Sequence, residues 1–413
     1  MKVGKMKIKK NDIYAWKMLF LFIISIFAED TYSMYLYYII ILISTIGDSV
    51  LYFKKKYYQE KNYTFAFLFY VIALGTTTYS FVFGRISWME ESKAICYTLI
   101  LIESIYIYIL DKEVFEKGMR IIVRFIVLSA IYGIIEEIMS FNIFEKYFVG
   151  DYIRGYYGTS LYRIASIYMH PIACAQIFLI GFWMTAFFYK SWRKWIYLVI
   201  IALGIYYTKS RGIWGGLLAS IVIVGLMQVV NFFRQHKVRK KRIFYIPICV
   251  ILIGILYKFG VFNTIIIGIT ERILAASGST SELARQSMSI YTINYMIHNA
   301  SWIQKLIGYG IDSSKAWIYN SGAYIKAFDA IDNSYLTIFY EFGCFGIVTI
   351  IGLFVKTIKI SFFRKNKNTQ LDKAVLMSLI ACIVPFYFYD FYGWLPIYLL
   401  FIYCTVPCIG KDK

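Results

Sequence analysis

The stretch SYLTIFYEFGCFGIVTIIGLFVKTI, residues 334–358, decides the fold class. Only Glu341 and Lys356 carry charge within it, and a run of about 20 mainly apolar residues is long enough to cross a bilayer as a helix. The rest of the chain has the same character, because 60% of its 413 residues are hydrophobic and 16% are charged. Soluble domains are nearer to about 45–50% apolar and about 25% charged. The sequence therefore predicts an all-α integral membrane protein and excludes a cytosolic enzyme, a coiled coil and a disordered chain.

Similar apolar runs recur along the chain and predict about 12 transmembrane helices. Basic residues cluster after every second run, from the lysine-rich amino terminus onward, and one such cluster extends from Arg234 to Arg242. The positive-inside rule places these clusters and both termini in the cytoplasm. The predicted spans are 13–28, 32–53, 64–84, 94–110, 119–139, 166–189, 195–208, 212–233, 243–259, 334–358, 374–390 and 393–409.

One connection is much longer than the others, and the predicted topology places it outside the membrane on the periplasmic or extracytoplasmic side. A capping box at Ser279 to Glu282 predicts that a helix begins there and continues over 282–298, as a re-entrant or interfacial element. The chain is thus divided into 1–259 with nine spans, 260–333 as a large structured external loop, and 334–413 with the last three spans.

The net charge of +20 comes from 44 basic and 24 acidic residues. The basic residues form short clusters between apolar runs rather than one continuous face, so nucleic acid is not expected as a partner. The three histidines are scattered and the seven cysteines show no metal-ligand spacing. We therefore expect no metal and no cofactor.

Two charged residues fall inside neighbouring spans. Glu103 and Arg124 lie about 10 Å and about 8 Å from the inner ends of antiparallel spans, at 1.5 Å per residue. An unpaired charge at such depth costs on the order of 3 kcal/mol. The sequence therefore predicts a structural ion pair between Glu103 and Arg124.

A basic motif, Lys209-Ser210-Arg211-Gly212, lies between the seventh and eighth spans on the predicted external side. Cations are disfavoured there by topology. One interpretation is an interfacial arginine that extends its head group to water. The other is a guanidinium that binds phosphate through its planar fork.

Polar residues gather where the long loop re-enters the membrane, in Asp332-Asn333-Ser334-Tyr335, with Glu341 about two helical turns further on. This arrangement offers a carboxylate, an amide and a phenol, followed by a second carboxylate. The structural interpretation is an N-cap, with Asp332 or Asn333 opening the helix. Capping and catalysis are compatible, so both interpretations stay open.

Gly308-Tyr309-Gly310 is half of a dinucleotide-binding fingerprint. No predicted strand precedes it, as that fingerprint requires. We interpret it as a turn that ends the helical part of the loop.

Several motifs, in this order, resemble those of the O-antigen ligase and Wzy-type polysaccharide polymerase superfamily. They are RIASIYMHP (163–171), TKSRG (208–212), GYG (308–310) and the block DNSYL followed by EFGCFG (332–346). The resemblance implies a GT-C-like membrane fold. In the ligase branch a histidine precedes the asparagine of the last block, whereas this chain has Asp332. That departure favours a polymerase.

The resemblance implies a metal-independent glycosyltransferase of the bacterial cytoplasmic membrane. Its donor and acceptor would be oligosaccharide repeat units on undecaprenyl diphosphate, joined into O-antigen, capsular or exopolysaccharide, with chain-length regulators and flippases as candidate further partners. Asp332, at the position of the family's histidine, is the expected general base, with Glu341 as the alternative, and Arg211 and Arg285 would stabilise the diphosphate. The residues expected to bind substrate are Arg163, His170, Lys209, Ser210, Asn333 and Tyr335.

Two other functions are compatible with the sequence. A lipid-linked oligosaccharide flippase also has about 12 spans, but transporters often carry internal repeats and midplane polar sites. This chain has no evident repeat, and its polar residues collect in one loop, so an enzyme is favoured. A ligase that uses a different acceptor is the second alternative.

Overall fold

The computed structural model describes residues 12–28, 31–54, 64–82, 88–147, 159, 162–234, 280–320, 330–363, 369–391 and 393–409. Every regular element within these ranges is helical. The helices are α1 Asp12–Phe27, α2 Thr31–Lys54, α3 Thr64–Val82, α4 Trp88–Leu110, α5 Lys112–Met139, α6 Pro171–Phe188, α7 Arg193–Tyr207, α8 Arg211–Arg234, α9 Thr280–His298, α10 Trp302–Ile307, α11 Ser313–Asn320, α12 Ser334–Phe363, α13 Gln370–Cys382, α14 Pro385–Phe388 and α15 Leu395–Ile409.

The predicted spans that fall on described residues coincide with helices, although 374–390 covers two of them, α13 and the short α14. The ninth span (243–259) and residues 235–242 of the basic cluster lie outside the described residues. Four helical stretches in the described part of the chain are long and apolar enough to cross a membrane, and three shorter ones are also apolar. The length and composition of these helices are those of a membrane protein, while the total of about 12 spans stays a prediction. The four are Glu90–Leu110, Pro171–Phe188, Ser334–Phe362 and Gln370–Phe388, and the shorter three are Tyr32–Asp48, Arg211–Met227 and Leu395–Cys408.

Helix α6 is largely buried and packs against both α13 and α7. Helix α5 lies between α1 and α7, and α2 packs on α4. The predicted helix in the long loop is confirmed as α9. Its residues Met288, Thr292 and Met296 are buried, and the two methionines belong to a small second hydrophobic core that includes Tyr340 of α12.

Helix α12 is broken at Gly343, where φ is 62° and ψ is −159°. The rings of Tyr335 and Phe354 lie 6.5 Å apart between centroids, although a straight helix would separate these residues by roughly 28 Å. The two segments therefore fold towards each other. The predicted tenth span, 334–358, falls on this broken helix, and the second segment, 343–363, is by itself about 30 Å long and sufficient to cross a bilayer.

The break is held together by the segment that follows α10. The first segment of α12 ends with carbonyls that have no partner in their own helix, and two of them accept from that segment: Tyr309 N–H donates to Tyr340 O at 3.1 Å and Gly310 N–H to Glu341 O at 2.9 Å. A Cβ atom on Gly308 would lie 2.2 Å from the carbonyl carbon of Glu341. The Gly-Tyr-Gly motif is thus the turn that ends α10, as predicted, and it also clasps the backbone at Glu341.

Replacing Gly343 by alanine should release this clasp. A Cβ atom there would lie 2.4 Å from the carbonyl carbon of Leu306, and the positive φ itself costs an L-residue about 1–2 kcal/mol. We expect Gly343→Ala to lower the free energy of unfolding by about 2–4 kcal/mol in total. Gly352→Ala, in the second segment with open space around it, should change it by less than about 1 kcal/mol. Equal thermal stability of the two variants in detergent would contradict the clasp.

The predicted ion pair between Glu103 and Arg124 is wrong. Glu103 is buried and bonds to Lys17 and to Ser44, while Arg124 lies on the exposed side of α5. Lys17 Nζ also lies 2.6 Å from Asp48 Oδ2, so one ammonium serves two carboxylates from α2 and α4. The prediction failed because α1, which packs against α5 and α2, places Lys17 beside Glu103.

Lys17→Met should therefore be strongly destabilising, since it leaves Asp48 and Glu103 buried without their cation. Removing one partner from a buried pair costs about 3–5 kcal/mol. Lys117→Met is the matched control, because its pair with Asp12 is exposed to solvent and is worth at most about 1 kcal/mol. Thermal unfolding in detergent compares the two, and adding Glu103→Gln should restore part of the loss.

Candidate functional site

A row of buried polar groups follows the first segment of α12. Ser334, Thr337 and Glu341 share one face of this helix at spacings of three and four residues, and none is more than 1% exposed. Ser334 Oγ donates to Tyr389 O at 2.9 Å, and Thr337 hydrogen bonds to Asp390. We call these five residues the polar seam.

One end of the polar seam is rich in carboxylates. Ser314 Oγ donates to Glu341 Oε1 at 2.7 Å, while the buried Glu341 Oε2 has no hydrogen-bond partner among the described residues. Nearby, Asp312 Oδ2 lies 2.7 Å from Lys93 Nζ, and Asp312 Oδ1 lies 3.6 Å from Lys315 Nζ. Glu341 interacts electrostatically with Asp312, Asp390 and Lys93, so three carboxylates and two ammonium groups share this end.

The carboxyls of Asp312 and Asp390 differ in proton affinity. Burial alone would raise the pKa of Asp312, but Lys93 and Lys315 outweigh it and hold that pKa well below its usual range. Burial raises the pKa of Asp390 to about 6 against the opposing effect of Lys315, and Asp312 adds to the rise. Within the described part of the chain the buried Asp390 Oδ1 accepts no hydrogen bond. Asp312 is therefore a fixed anion, whereas Asp390 can exchange a proton near neutral pH.

The other end is basic and is built on the end of α7. Arg163 Nε donates to Thr208 O at 2.8 Å, and Lys209 Nζ donates to Tyr162 O at 2.5 Å. Lys209 also lies 3.6 Å from Glu137 Oε1. The sequence motifs around Arg163 and Lys209, 46 residues apart, are thus brought into direct contact.

Glu136 fixes the loop that carries Arg163. Its buried carboxylate accepts from Tyr162 Oη at 2.6 Å, from Ala165 N at 3.1 Å and from Ser166 N at 2.7 Å. The Glu136 side chain thus accepts hydrogen bonds from backbone N–H groups of the loop, which has no regular secondary structure to pair them. The basic end is therefore held against α5.

His170 lies between the basic end and Tyr389 of the polar seam. Its ring stacks on Tyr389, with centroids 5.5 Å apart and planes at 12°, and it also contacts Trp394. Nδ1 accepts from Ile172 N–H at 3.2 Å, so the ring proton resides on Nε2. Burial, with Arg163 nearby, lowers the pKa of His170 to about 3. His170 is therefore a neutral hydrogen-bond donor at physiological pH.

Ser210 and Arg211 open α8 beside the seam. The buried Ser210 accepts from Trp214 N–H through its carbonyl at 3.1 Å, and Arg211 is half-buried. Helix α8 approaches closely here, because a Cβ atom on Gly212 would lie 2.9 Å from Cβ of Phe388. Arg211 is thereby placed next to the chain segment that carries Tyr389 and Asp390.

Arg285 and Asp332 form an ion pair. Arg285 Nε lies 3.1 Å from Asp332 Oδ2, and Asp332 has a positive φ of 54°. Asp332 and Glu341 lie at opposite ends of the first segment of α12, roughly 13 Å apart along its axis. The two carboxylates that the sequence proposed as alternative bases are therefore in different surroundings.

Asn333 and Tyr335 have structural contacts of their own. Asn333 Oδ1 accepts from Tyr335 N at 3.0 Å and from Leu336 N at 3.3 Å, which confirms the N-cap interpretation for Asn333. Tyr335 Oη donates to Ile383 O at 2.7 Å and ties α12 to the end of α13. Their predicted roles in binding substrate stay predictions.

Sequence reasoning missed Lys93, Asp312 and Asp390 as members of this site. None belongs to a recognisable motif. The available signal was composition, because ionisable residues beside or within membrane spans usually serve a function, and Asp390 interrupts an otherwise apolar stretch. Among the described residues, no group of three or more His, Cys, Asp or Glu is arranged to hold a metal ion.

Comparison with known proteins gives one family. Residues 196–351 match a family model described as O-antigen ligase. The match includes Lys209, Ser210, Arg211, Arg285 and the block from Asp332 to Glu341, whereas Lys93, Arg163, His170 and Asp390 lie outside it. No curated protein matches the chain.

Asp390→Asn should stabilise the protein at neutral pH. The native state retains a proton that an unfolded aspartic acid releases near pH 4, so the free energy of unfolding falls as pH rises through the window from about 4 to about 6. Asparagine removes this titration, and we expect a gain of at most about 3 kcal/mol at pH 7.5 that disappears near pH 4. Asp111→Asn, at a helix cap that asparagine also serves, is the control. An Asp390→Asn variant whose stability follows the wild-type pH profile would contradict this assignment.

Proposed function

We propose that this membrane protein is a glycosyltransferase acting on polyprenyl-diphosphate-linked glycans. The match of residues 196–351 to a family model described as O-antigen ligase supports the proposal. In this proposal the protein joins lipid-linked repeat units into a polysaccharide at the outer face of the bacterial cytoplasmic membrane, with both termini in the cytoplasm. The donor and the acceptor each carry undecaprenyl diphosphate.

The observation that supports this reaction best is the polar seam with its two unlike ends. Transfer from a glycosyl diphosphate needs positive charge or hydrogen-bond donors at the leaving group. It also needs a proton acceptor for the attacking hydroxyl. Arg163, Lys209 and Arg211 gather at one end, and Glu341 with an unpartnered carboxylate oxygen in the described structure lies at the other.

The proposed step is a single displacement. A sugar hydroxyl of the acceptor attacks the anomeric carbon of the donor, a new glycosidic C–O bond forms, and the bond from that carbon to the diphosphate oxygen breaks. The hydroxyl proton passes to the base. The leaving polyprenyl diphosphate takes the bonding electron pair, and its added negative charge is stabilised by the guanidinium groups.

Glu341 suits the role of base better than Asp332. Asp332 is bound to the guanidinium of Arg285, and an ion-paired carboxylate is a poorer proton acceptor. Glu341 lies 2.7 Å from Ser314 Oγ through one oxygen only and has Asp390 as a neighbouring carboxyl that could take up the proton next. Asp332 would then act as a positioning residue for Arg285.

The diphosphate would lie at the basic end. Arg211 begins α8 next to the segment that carries Tyr389, and the planar fork of a guanidinium matches phosphate oxygens. His170 can add a neutral donor from Nε2, since its Nδ1 is already occupied by Ile172 N–H. Arg285, which is ion-paired with Asp332 just before α12, would contact the second phosphate.

Such an enzyme can be a polymerase, which joins repeat units, or a ligase, which transfers the glycan to another acceptor. Asp332, which replaces the histidine of the ligase branch, favours a polymerase, while the matched family model is described as O-antigen ligase. Deletion followed by glycan analysis separates them. Loss of a polymerase leaves single repeat units, loss of a ligase leaves long lipid-linked polymer that is never transferred, and loss of a flippase leaves repeat units on the cytoplasmic side.

Glu341→Gln should abolish polymer formation while the protein still accumulates in the membrane. Loss of a general base typically lowers the rate by about 10²-fold or more. Asp332→Asn should be milder, because the amide oxygen can still accept from Arg285, and Glu145→Gln, in a short helical turn outside the seam, should have no effect. Chain-length analysis of the surface glycan measures all three. Normal polymer from Glu341→Gln, with loss in Asp332→Asn, would move the role of base to Asp332.

A further inference from the structure

Helix α9 has three distinct faces. Met288, Thr292 and Met296 are buried against α12. Of the two exposed faces, one is polar and carries Ser287, Tyr291, Asn294 and His298. The other is aliphatic over Ile290, Ile293 and Ile297, one turn after the exposed Gln286. A helix surrounded by water on both exposed sides would not separate them in this way.

The aliphatic face of α9 continues onto α10. Trp302, Ile303 and Leu306 are exposed on α10, with Trp302 the most exposed at 71%. Lys305 Nζ donates to Ile297 O at 2.5 Å, which fixes α10 to the end of α9. The two helices therefore present one continuous apolar surface.

This surface meets the spanning segment of α12. A Cβ atom on Gly343 would lie 2.4 Å from the carbonyl carbon of Leu306, so α10 rests on the point where the second segment begins. From there the exposed apolar residues continue as Val348, Ile351 and Val355 along 343–363. A segment of that length and composition crosses a bilayer, and its exposed side chains face lipid.

We infer that Ile290, Ile293, Ile297, Trp302, Ile303 and Leu306 form a lipid-contacting face, which seats α9 and α10 in the surface of the bilayer with the polar face of α9 towards water. The occupant is the acyl chains of bilayer lipid. Continuity with the spanning segment favours lipid, and so does the position of Trp302, because tryptophan concentrates at membrane interfaces. Interfacial helices combine an apolar face in lipid with a polar face in water.

This inference does not rest on the proposed function, since it concerns only the surroundings of two helices. It does define how the site faces the membrane. The Gly308 turn separates the lipid-contacting face from the backbone of Glu341, because a Cβ atom on Gly308 would lie only 2.2 Å from the Glu341 carbonyl carbon. The carboxylate end of the polar seam thus lies one thickness of backbone away from lipid.

Site-directed fluorescence in nanodiscs tests the inference. Single cysteines replace Ile293, Asn294 or Val348 in a variant whose native cysteines are changed to alanine, because Cys344 is also exposed. Each carries an environment-sensitive probe, and quenching is measured with brominated phospholipid and with aqueous iodide. Asn294→Cys, one residue away on the polar face, is the matched control, and Val348→Cys is the reference for lipid contact.

The Ile293 probe should be quenched by brominated lipid as strongly as the Val348 probe and several-fold more than the Asn294 probe. Equal iodide quenching at positions 293 and 294 would overturn the inference, because the aliphatic face would then be in water. Shielding of the Ile293 probe from both quenchers would also overturn it and indicate a protein occupant. Disulfide cross-linking between Ile293→Cys copies would identify that occupant as a second copy of the chain.

Discussion

The break of α12 at Gly343 is the constraint on which the rest of the structure depends. When a helix is interrupted, its last carbonyl groups lose the N–H donors of the next turn. Carbonyl groups without a hydrogen-bond donor are costly when they are buried away from water. Here Tyr309 N–H and Gly310 N–H supply the missing hydrogen bonds to Tyr340 O and Glu341 O. Glycine at 308 and 343 lets the two backbone segments approach this closely, since a Cβ atom at either position would overlap the backbone of the other segment. The position of Glu341 is thus set by backbone geometry from a segment about 30 residues earlier.

The polar seam holds charges that its surroundings do not fully compensate. Asp312 has two lysines within 3.6 Å, whereas Glu341 and Asp390 each have a buried oxygen without a partner in the described residues. Unsatisfied buried groups lower stability, and where they persist they usually serve a function. Asp390 is one such group, and burial raises its pKa to about 6. The lysines beside Asp312 then keep the total negative charge of this end low.

Much of the fold follows from the sequence, because apolar length and basic clusters are local properties. Apolar runs of about 20 residues predict the helices that fall on the predicted spans, and a capping box predicts the helix of the long loop. The break at Gly343 was not predicted, since glycine is common inside membrane helices and only the partner segment shows that it is needed here. The pairing of Glu103 with Lys17 was missed for the same reason: it depends on how α1 packs, which no local pattern records. In the site, Arg163, Lys209, Asn333 and Glu341 stood in motifs, whereas Lys93 and Asp390 became visible only through contacts between distant helices.

The loop helices and the candidate base form one rigid unit. Tyr309 stacks on Tyr340 with centroids 4.8 Å apart, Trp317 stacks on the same Tyr340 at 4.7 Å, and Tyr291 stacks on Trp317 at 5.1 Å. Each such pair contributes about 0.5–1.5 kcal/mol beyond burial, and they act together with the two backbone hydrogen bonds at the break. A movement of α9 to α11 away from α12 would therefore have to separate the ring stack and expose Tyr340 O and Glu341 O at the same time. Because that cost is high, the fold itself fixes the position of Glu341, which is the preorganisation that its proposed role as proton acceptor requires.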